Sequence, residues 1–137
     1  MQLHGDYEPR RIEQLREAFD GRLWSVVRIA NGQIPVAAAE QFALSDAVLL
    51  DALVPGKLGG TGVTLPWGEL DDRLARLREG THAKLVLAGG LRAENVAEAI
   101  RLLRPDVVDV SSGVETAPGV KDHARMRAFR DAVHAST

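Results

Sequence analysis

Short, almost uninterrupted apolar runs, each followed by a helical pattern, constrain this chain more than any other feature. Residues 23–29, 47–51, 84–88 and 107–110 have continuously apolar centres, without the in–out alternation of a strand that faces water on one side. Strands buried on both faces belong to parallel sheets covered by helices. A shorter run at 1–4 brings the expected strands to five. Between and after them come helical patterns at 8–19 (Ile12, Leu15, Phe19), 36–44 (Ala38, Phe42), 67–77 (Trp67, Leu70, Leu74, Leu77), 92–103 and 122–134 (Met126, Phe129, Val133). The repeating unit is a strand followed by a helix. No linker or low-complexity tract interrupts it, so residues 1–137 are expected to form one domain.

Composition narrows the class further. There are six aromatic residues (two Trp, one Tyr, three Phe), so Leu, Val, Ile and Ala must fill the interior. Formal net charge is −2 with both signs interspersed, and no basic stripe points to nucleic acid. The absence of cysteine removes disulfides, thiolate metal sites and thiol nucleophiles from these residues. His82, His123 and His134 have no metal-ligand spacing and are expected to face solvent. No apolar run approaches the ~20 residues of a membrane span. A cytoplasmic protein is the default expectation.

Two architectures use this repeat. A doubly wound sheet fits the length, whereas a complete (β/α)8 barrel needs about 250 residues, roughly 200 at minimum. The polar residues nevertheless favour the barrel arrangement. Reactive or flexible groups stand at the carboxyl ends of successive strands: His4, Arg28, Asp51, Gly89 with Gly90, Asp109, and Ser111 with Ser112. In a barrel those ends converge on one mouth, and phosphate is commonly held after the last two strands. The Gly89-Gly90 and Ser112-Gly113 turns follow the last two strands here. Backbone N–H groups at such turns and at a helix N-terminus suit a phosphate.

The motifs Gln2-Leu3-His4-Gly5, Leu49-Leu50-Asp51, Gly59-Gly60-Thr61-Gly62, Leu87-Ala88-Gly89-Gly90-Leu91, Glu94-Asn95-Val96, Val108-Asp109-Val110-Ser111-Ser112-Gly113-Val114-Glu115 and Pro118-Gly119-Val120-Lys121-Asp122 occur in that order. Together they resemble the C-terminal two-thirds of the phosphoribosylanthranilate isomerases, (β/α)8 enzymes of tryptophan biosynthesis. The resemblance implies the C-terminal (βα)5 portion of a TIM barrel, beginning at the family's fourth strand. It also implies an Amadori rearrangement of N-(5′-phosphoribosyl)anthranilate that needs no metal or organic cofactor. An acid protonates the furanose ring oxygen, a base removes the C2′ proton, and the enolamine tautomerises to the ketone.

Carried over by motif, Asp51 is the general acid. Partial burial would let its carboxyl hold a proton nearer neutrality, although an Asp here also suits a plain acceptor for the loop that follows. Asp109 is expected to hydrogen-bond the substrate or to serve its neighbours as a buried carboxylate. Arg28 stands where the family usually has Lys, and His4 is a further substrate-facing candidate. Gly89, Gly90, Ser112 and Gly113 would cradle the phosphate. The glycine-rich loop at 52–66 is expected to be a lid. Its Val63 and Pro66 depart from the family's usual polar residue and Asp.

The family's general base is a first-strand Cys, and an Arg after its second strand clamps the anthranilate carboxylate. Neither has a counterpart in these residues, and no evident substitute base is present. The isolated chain is therefore expected to be nearly inactive. Two open sheet edges would favour a homodimer or an N-terminal barrel fragment as partner. A non-catalytic phosphate-binding half-barrel that works through assembly is the alternative reading.

Overall fold

The computed structural model describes residues 1–4, 8–30, 32–52 and 65–136. Five parallel strands form one sheet: β1 (Gln2–Leu3), β2 (Trp24–Ile29), β3 (Ala47–Ala52), β4 (Lys84–Leu87) and β5 (Val107–Val108). Four helices alternate with them: α1 (Pro9–Ala18), α2 (Ala38–Leu44), α3 (Trp67–Arg78) and α4 (Val96–Leu103). Strand order in space is strand order in sequence. A doubly wound sheet reverses direction at a switch point; this one does not. The order is that of a barrel-type sheet.

Register explains why the strands read as continuously apolar. Val26, Leu49, Val86 and Val107 are cross-strand partners, and one residue on so are Val27, Leu50, Leu87 and Val108. Successive side chains take opposite faces. Val27, Val48, Leu50, Leu85 and Leu87 pack with Phe42, Leu70, Leu74, Val96 and Phe129 from the helices. On the other face, Val26, Ala47, Leu49, Val86 and Ala88 bury one another with Trp24 and Val107. Both faces are dry, so neither shows a polar alternation.

The amino-terminal ends of the strands carry the same device twice. Asp46, just before β3, accepts the N–H of Leu23 at 2.7 Å and pairs with Arg16 of α1 at 2.5 Å. Asp106, just before β5, accepts the N–H of Leu85 at 2.8 Å and pairs with Arg78 of α3 at 2.8 Å. In each case one carboxylate satisfies a backbone donor at a strand entrance and ties a helix to it. Ser25 and Ser45, both buried, hydrogen-bond through their hydroxyls nearby.

Some expectations need correction. α4 begins at Val96, not 92, because the Asn95 carboxamide accepts from Arg92 N–H at 2.8 Å and donates to Gly90 O at 3.0 Å. This local turn competes with the first turn of the helix. α2 likewise starts at Ala38, leaving Val36 98% exposed. The strand expected over 107–110 pairs only over Val107–Val108. A 3-10 turn (Ser112–Val114) and an antiparallel pair, β6 (Glu115–Ala117) and β7 (Val120–Lys121), follow it. The last helix, α5 (His123–His134), buries Phe129 but leaves Met126 exposed. Most of the expected lid, Val63 included, lies outside the described residues.

Candidate active site

The period of two that buries Val26, Leu49 and Val107 carries Arg28, Asp51 and Asp109 onto the same face, one step nearer the carboxyl ends. Arg28 and Asp51 are register partners on β2 and β3. His4 lies two residues beyond Gln2, the partner of Trp24. A hollow of about 220 Å³ opens at these strand ends. His4, Asp51, Gly89, Gly90, Asp109, Ser112 and Gly113 all line it. Seven of the eight candidate positions thus share one cavity; Arg28 flanks it beside Asp51.

Burial is the main influence on Asp51 and pushes its carboxyl above the ordinary 3.8. The Ala52 N–H and the Arg28 and His4 charges pull the other way, while the Asp109 carboxylate adds to the rise. A half-buried acid between a cation and a second carboxylate is the setting in which protonation states are tuned. Asp109 itself is exposed, so the expectation of a buried carboxylate there does not hold. Among the described residues, no group of three or more His, Asp or Glu side chains is placed to hold a metal ion.

The two turns need glycine for different reasons. Gly89 has φ +82°, and a Cβ there would stand 3.0 Å from both Asp51 Oδ1 and Ala52 N. Gly90 also has positive φ, 64°. Gly113 is outside the left-handed region, but its Cβ would overlap the Leu91 carbonyl oxygen. The segment after the Gly89-Gly90 loop and the 3-10 turn therefore approach at backbone distance. Ser111 also lines the hollow. Its place in the sequence sets it with Ser112 among the strand-end groups but gives it no ligand role.

Residues 1–132 match the family of N-(5′-phosphoribosyl)anthranilate (PRA) isomerases. The chain belongs to this family. The N-(5′-phosphoribosyl)anthranilate isomerase of Methanothrix thermoacetophila is 43% identical over 129 residues, 94% of this chain and 58% of that protein. The crystal structure of phosphoribosyl anthranilate isomerase from Thermotoga maritima superposes with a TM-score of 0.79 at 33% identity, covering 98% of this chain and 60% of that one. A phosphoribosyl anthranilate isomerase complexed with reduced 1-(o-carboxyphenylamino)-1-deoxyribulose 5-phosphate gives a TM-score of 0.74 at 30% identity, covering 98% of this chain and 58% of that one. The chain spans less than two thirds of the length of these isomerases. Its sheet is the α/β barrel-type sheet of the family. No helix among the described residues is long and apolar enough to cross a membrane.

Proposed function

We propose that this chain provides the phosphate-binding and acid-bearing side of a phosphoribosylanthranilate isomerase site, as a (βα)5 portion of a (β/α)8 barrel. One observation carries the reading. The acid, the second carboxylate and both glycine-bearing turns share a single hollow at the strand carboxyl ends, in a chain matched to the family over residues 1–132.

In this reading the Gly89, Gly90, Ser112 and Gly113 amides hold the substrate phosphate through charge-assisted hydrogen bonds. Asp51 gives its proton to the furanose ring oxygen as the C1′–O bond breaks, leaving a Schiff base. A base then takes the C2′ proton. The enolamine returns a proton to C1′, and the C2′ hydroxyl becomes a ketone; no oxidant is consumed. Arg28 limits how far the Asp51 proton affinity rises, and Asp109 and His4 face the sugar and the linking nitrogen.

The base is the missing part. These 137 residues contain no thiol, so in this reading the base comes from outside them, in a further segment of the same polypeptide or in a separate unit. β1 and β5 are the sheet edges, and each offers a strand-pairing face to such a partner: a (βα)3 unit, or a second copy that stabilises without completing the chemistry.

The test is isomerase turnover by residues 1–137 alone and after mixing with a (βα)3 unit that carries the family's first-strand Cys. Turnover is expected only in the mixture, and Asp51→Asn should lower it about 10²–10⁴-fold. Full turnover without the added unit would overturn the division of labour. The half-barrel reading makes a different prediction for the same experiment. Ligand binding without turnover in the mixture, indifferent to Asp51→Asn, would support that reading instead.

A further inference from the structure

The functional reading employs Ser112 and Gly113 but leaves the segment after them, residues 121–125, without a task. The polar groups this segment turns back end on the same short stretch. Lys121 Nζ donates to the Ser111 carbonyl at 3.0 Å, lies 3.4 Å from Ser111 Oγ, and pairs with Glu115 Oε1 at 2.6 Å. Asp122 N–H donates to Val114 O at 2.8 Å. Arg125 Nη1 donates to the Glu115 carbonyl. The 3-10 turn is therefore held at Ser111 on one side and at Glu115 on the other. Gly119, with φ +80°, makes the reversal that brings Lys121 back over Ser111.

Two features separate this arrangement from an ordinary surface ion pair. An ammonium group has three donors, and here three acceptors surround it, all belonging to the turn's two flanks. Opposite, the Leu91 carbonyl presses so closely on Gly113 that no Cβ fits. The turn is thus wedged between the Gly89-Gly90 loop and the Lys121 buckle, and its amides have little freedom to drift.

We propose that Lys121 and Glu115 form a positioning pair that holds the Ser112 and Gly113 amides toward the substrate's phosphate. The proposal rests on the phosphate reading above. Lys121 acts through the turn; its donors are occupied by protein, so it is not itself a phosphate ligand. That assignment has a consequence of definite sign. A lysine acting as a point charge on the phosphate would be released by Glu115→Gln, and phosphate affinity would rise. A buckle loses its far anchor in the same variant, and phosphate affinity falls.

The experiment is calorimetric titration of the full 137-residue chain with two probes: the reduced deoxyribulose 5-phosphate product analogue and its dephosphorylated counterpart. Lys121→Met and Glu115→Gln should each weaken the phosphorylated probe roughly tenfold. The double variant should be no worse than either single, as expected for two residues acting as one unit. The dephosphorylated probe should bind all four proteins alike. A gain in affinity with Glu115→Gln would overturn the buckle in favour of a point charge. Parallel loss of both probes together with a fall in Tm would reduce the pair to general scaffolding. If the parent chain does not discriminate between the probes, the phosphate reading itself fails. The buckle is then decided by amide exchange: faster exchange confined to residues 112–114 in Lys121→Met supports it, and unchanged exchange overturns it.

Discussion

Replacing Gly113 with Ala isolates the close approach of the two turns that the proposed function assigns to phosphate. The backbone there is outside the left-handed region, so the new methyl group introduces no torsional strain of its own. It does overlap the Leu91 carbonyl oxygen, with the carbonyl carbon at 3.0 Å and Val110 Cγ2 at 3.1 Å beyond it. Restoring ordinary van der Waals separation requires the 3-10 turn to move away from the Gly89-Gly90 loop by on the order of 1 Å. Overpacking of this kind costs about 1–3 kcal/mol, or a Tm decrease of roughly 3–10 °C. The binding loss is larger in proportion. If the Ser112 and Gly113 amides no longer reach the phosphate, two charge-assisted hydrogen bonds disappear, each worth about 1.5–3 kcal/mol. The lower bound, about 3 kcal/mol, is roughly a 10²-fold loss of affinity. Calorimetry with the reduced product analogue measures this directly, and the dephosphorylated analogue serves as control. Affinity within about threefold of the parent would refute the reasoning, because the turn would have tolerated a Cβ without giving up its ligand.

Other perturbations test other parts of the molecule. Asp46→Ala leaves the Leu23 donor without its carboxylate and should destabilise by about 2 kcal/mol in chemical denaturation; the exposed Arg16 pair adds little once solvent screening is counted. Burial opposes ionisation of Asp46, but the Leu23 N–H and Arg16 outweigh it and hold the carboxyl below 3.8. Its contribution is therefore present above the unfolded value and lost as pH falls through the lower folded value, so Asp46→Asn should flatten the parent's loss of stability on acidification below about pH 4. Asp51 behaves oppositely. Its raised value means its stabilising contribution is complete below the unfolded value and lost as pH rises through the folded one, so Asp51→Asn should melt above the parent at neutral pH and lose that advantage in acid. Asn95→Asp keeps the acceptor for Arg92 N–H but loses the donor to Gly90 O; phosphorylated-ligand affinity should fall by roughly 3–10-fold with little change in helix content, as read by calorimetry and circular dichroism.

The helix-covered parallel sheet was legible because its signal is redundant, while its barrel-type order was indicated by the polar strand ends. Five apolar runs, each followed by a helical stripe, leave few alternatives, and Phe42, Leu70, Leu74 and Phe129 are buried as their spacing requires. The shared hollow was legible for a related reason: strand ends are marked by the change from Val and Leu to Asp, Gly and Ser. What escaped was short and local. The β6–β7 pair was announced only by the Pro118-Gly119 dipeptide, which favours a tight turn with positive φ at the glycine. Lys121 was equally hidden. Its partners, Ser111 and Glu115, lie ten and six residues upstream, and no periodicity relates them. The late start of α4 had a visible agent in Asn95, whose side chain competes for the backbone just where a helix would begin.

The two ends of the sheet answer different demands. At the amino ends, Asp46 and Asp106 meet backbone donors and arginines, and every polar group they use is satisfied inside the fold. At the carboxyl ends, Asp51 is half-buried with its proton affinity raised, Asp109 adds like charge, and Gly89 and Gly113 bring backbones so close together that no Cβ fits without a shift. The raised Asp51 carboxyl is a cost to folding at neutral pH, and in the proposed reading a bound ligand offsets it. In that reading a dianionic phosphate is met by the amides of the two turns. A sugar ring oxygen would give the reluctant Asp51 proton somewhere to go. The Lys121 buckle stands between the two ends: it is built like the amino-end clamps, and in the proposed reading it lies against the turn that would meet the phosphate.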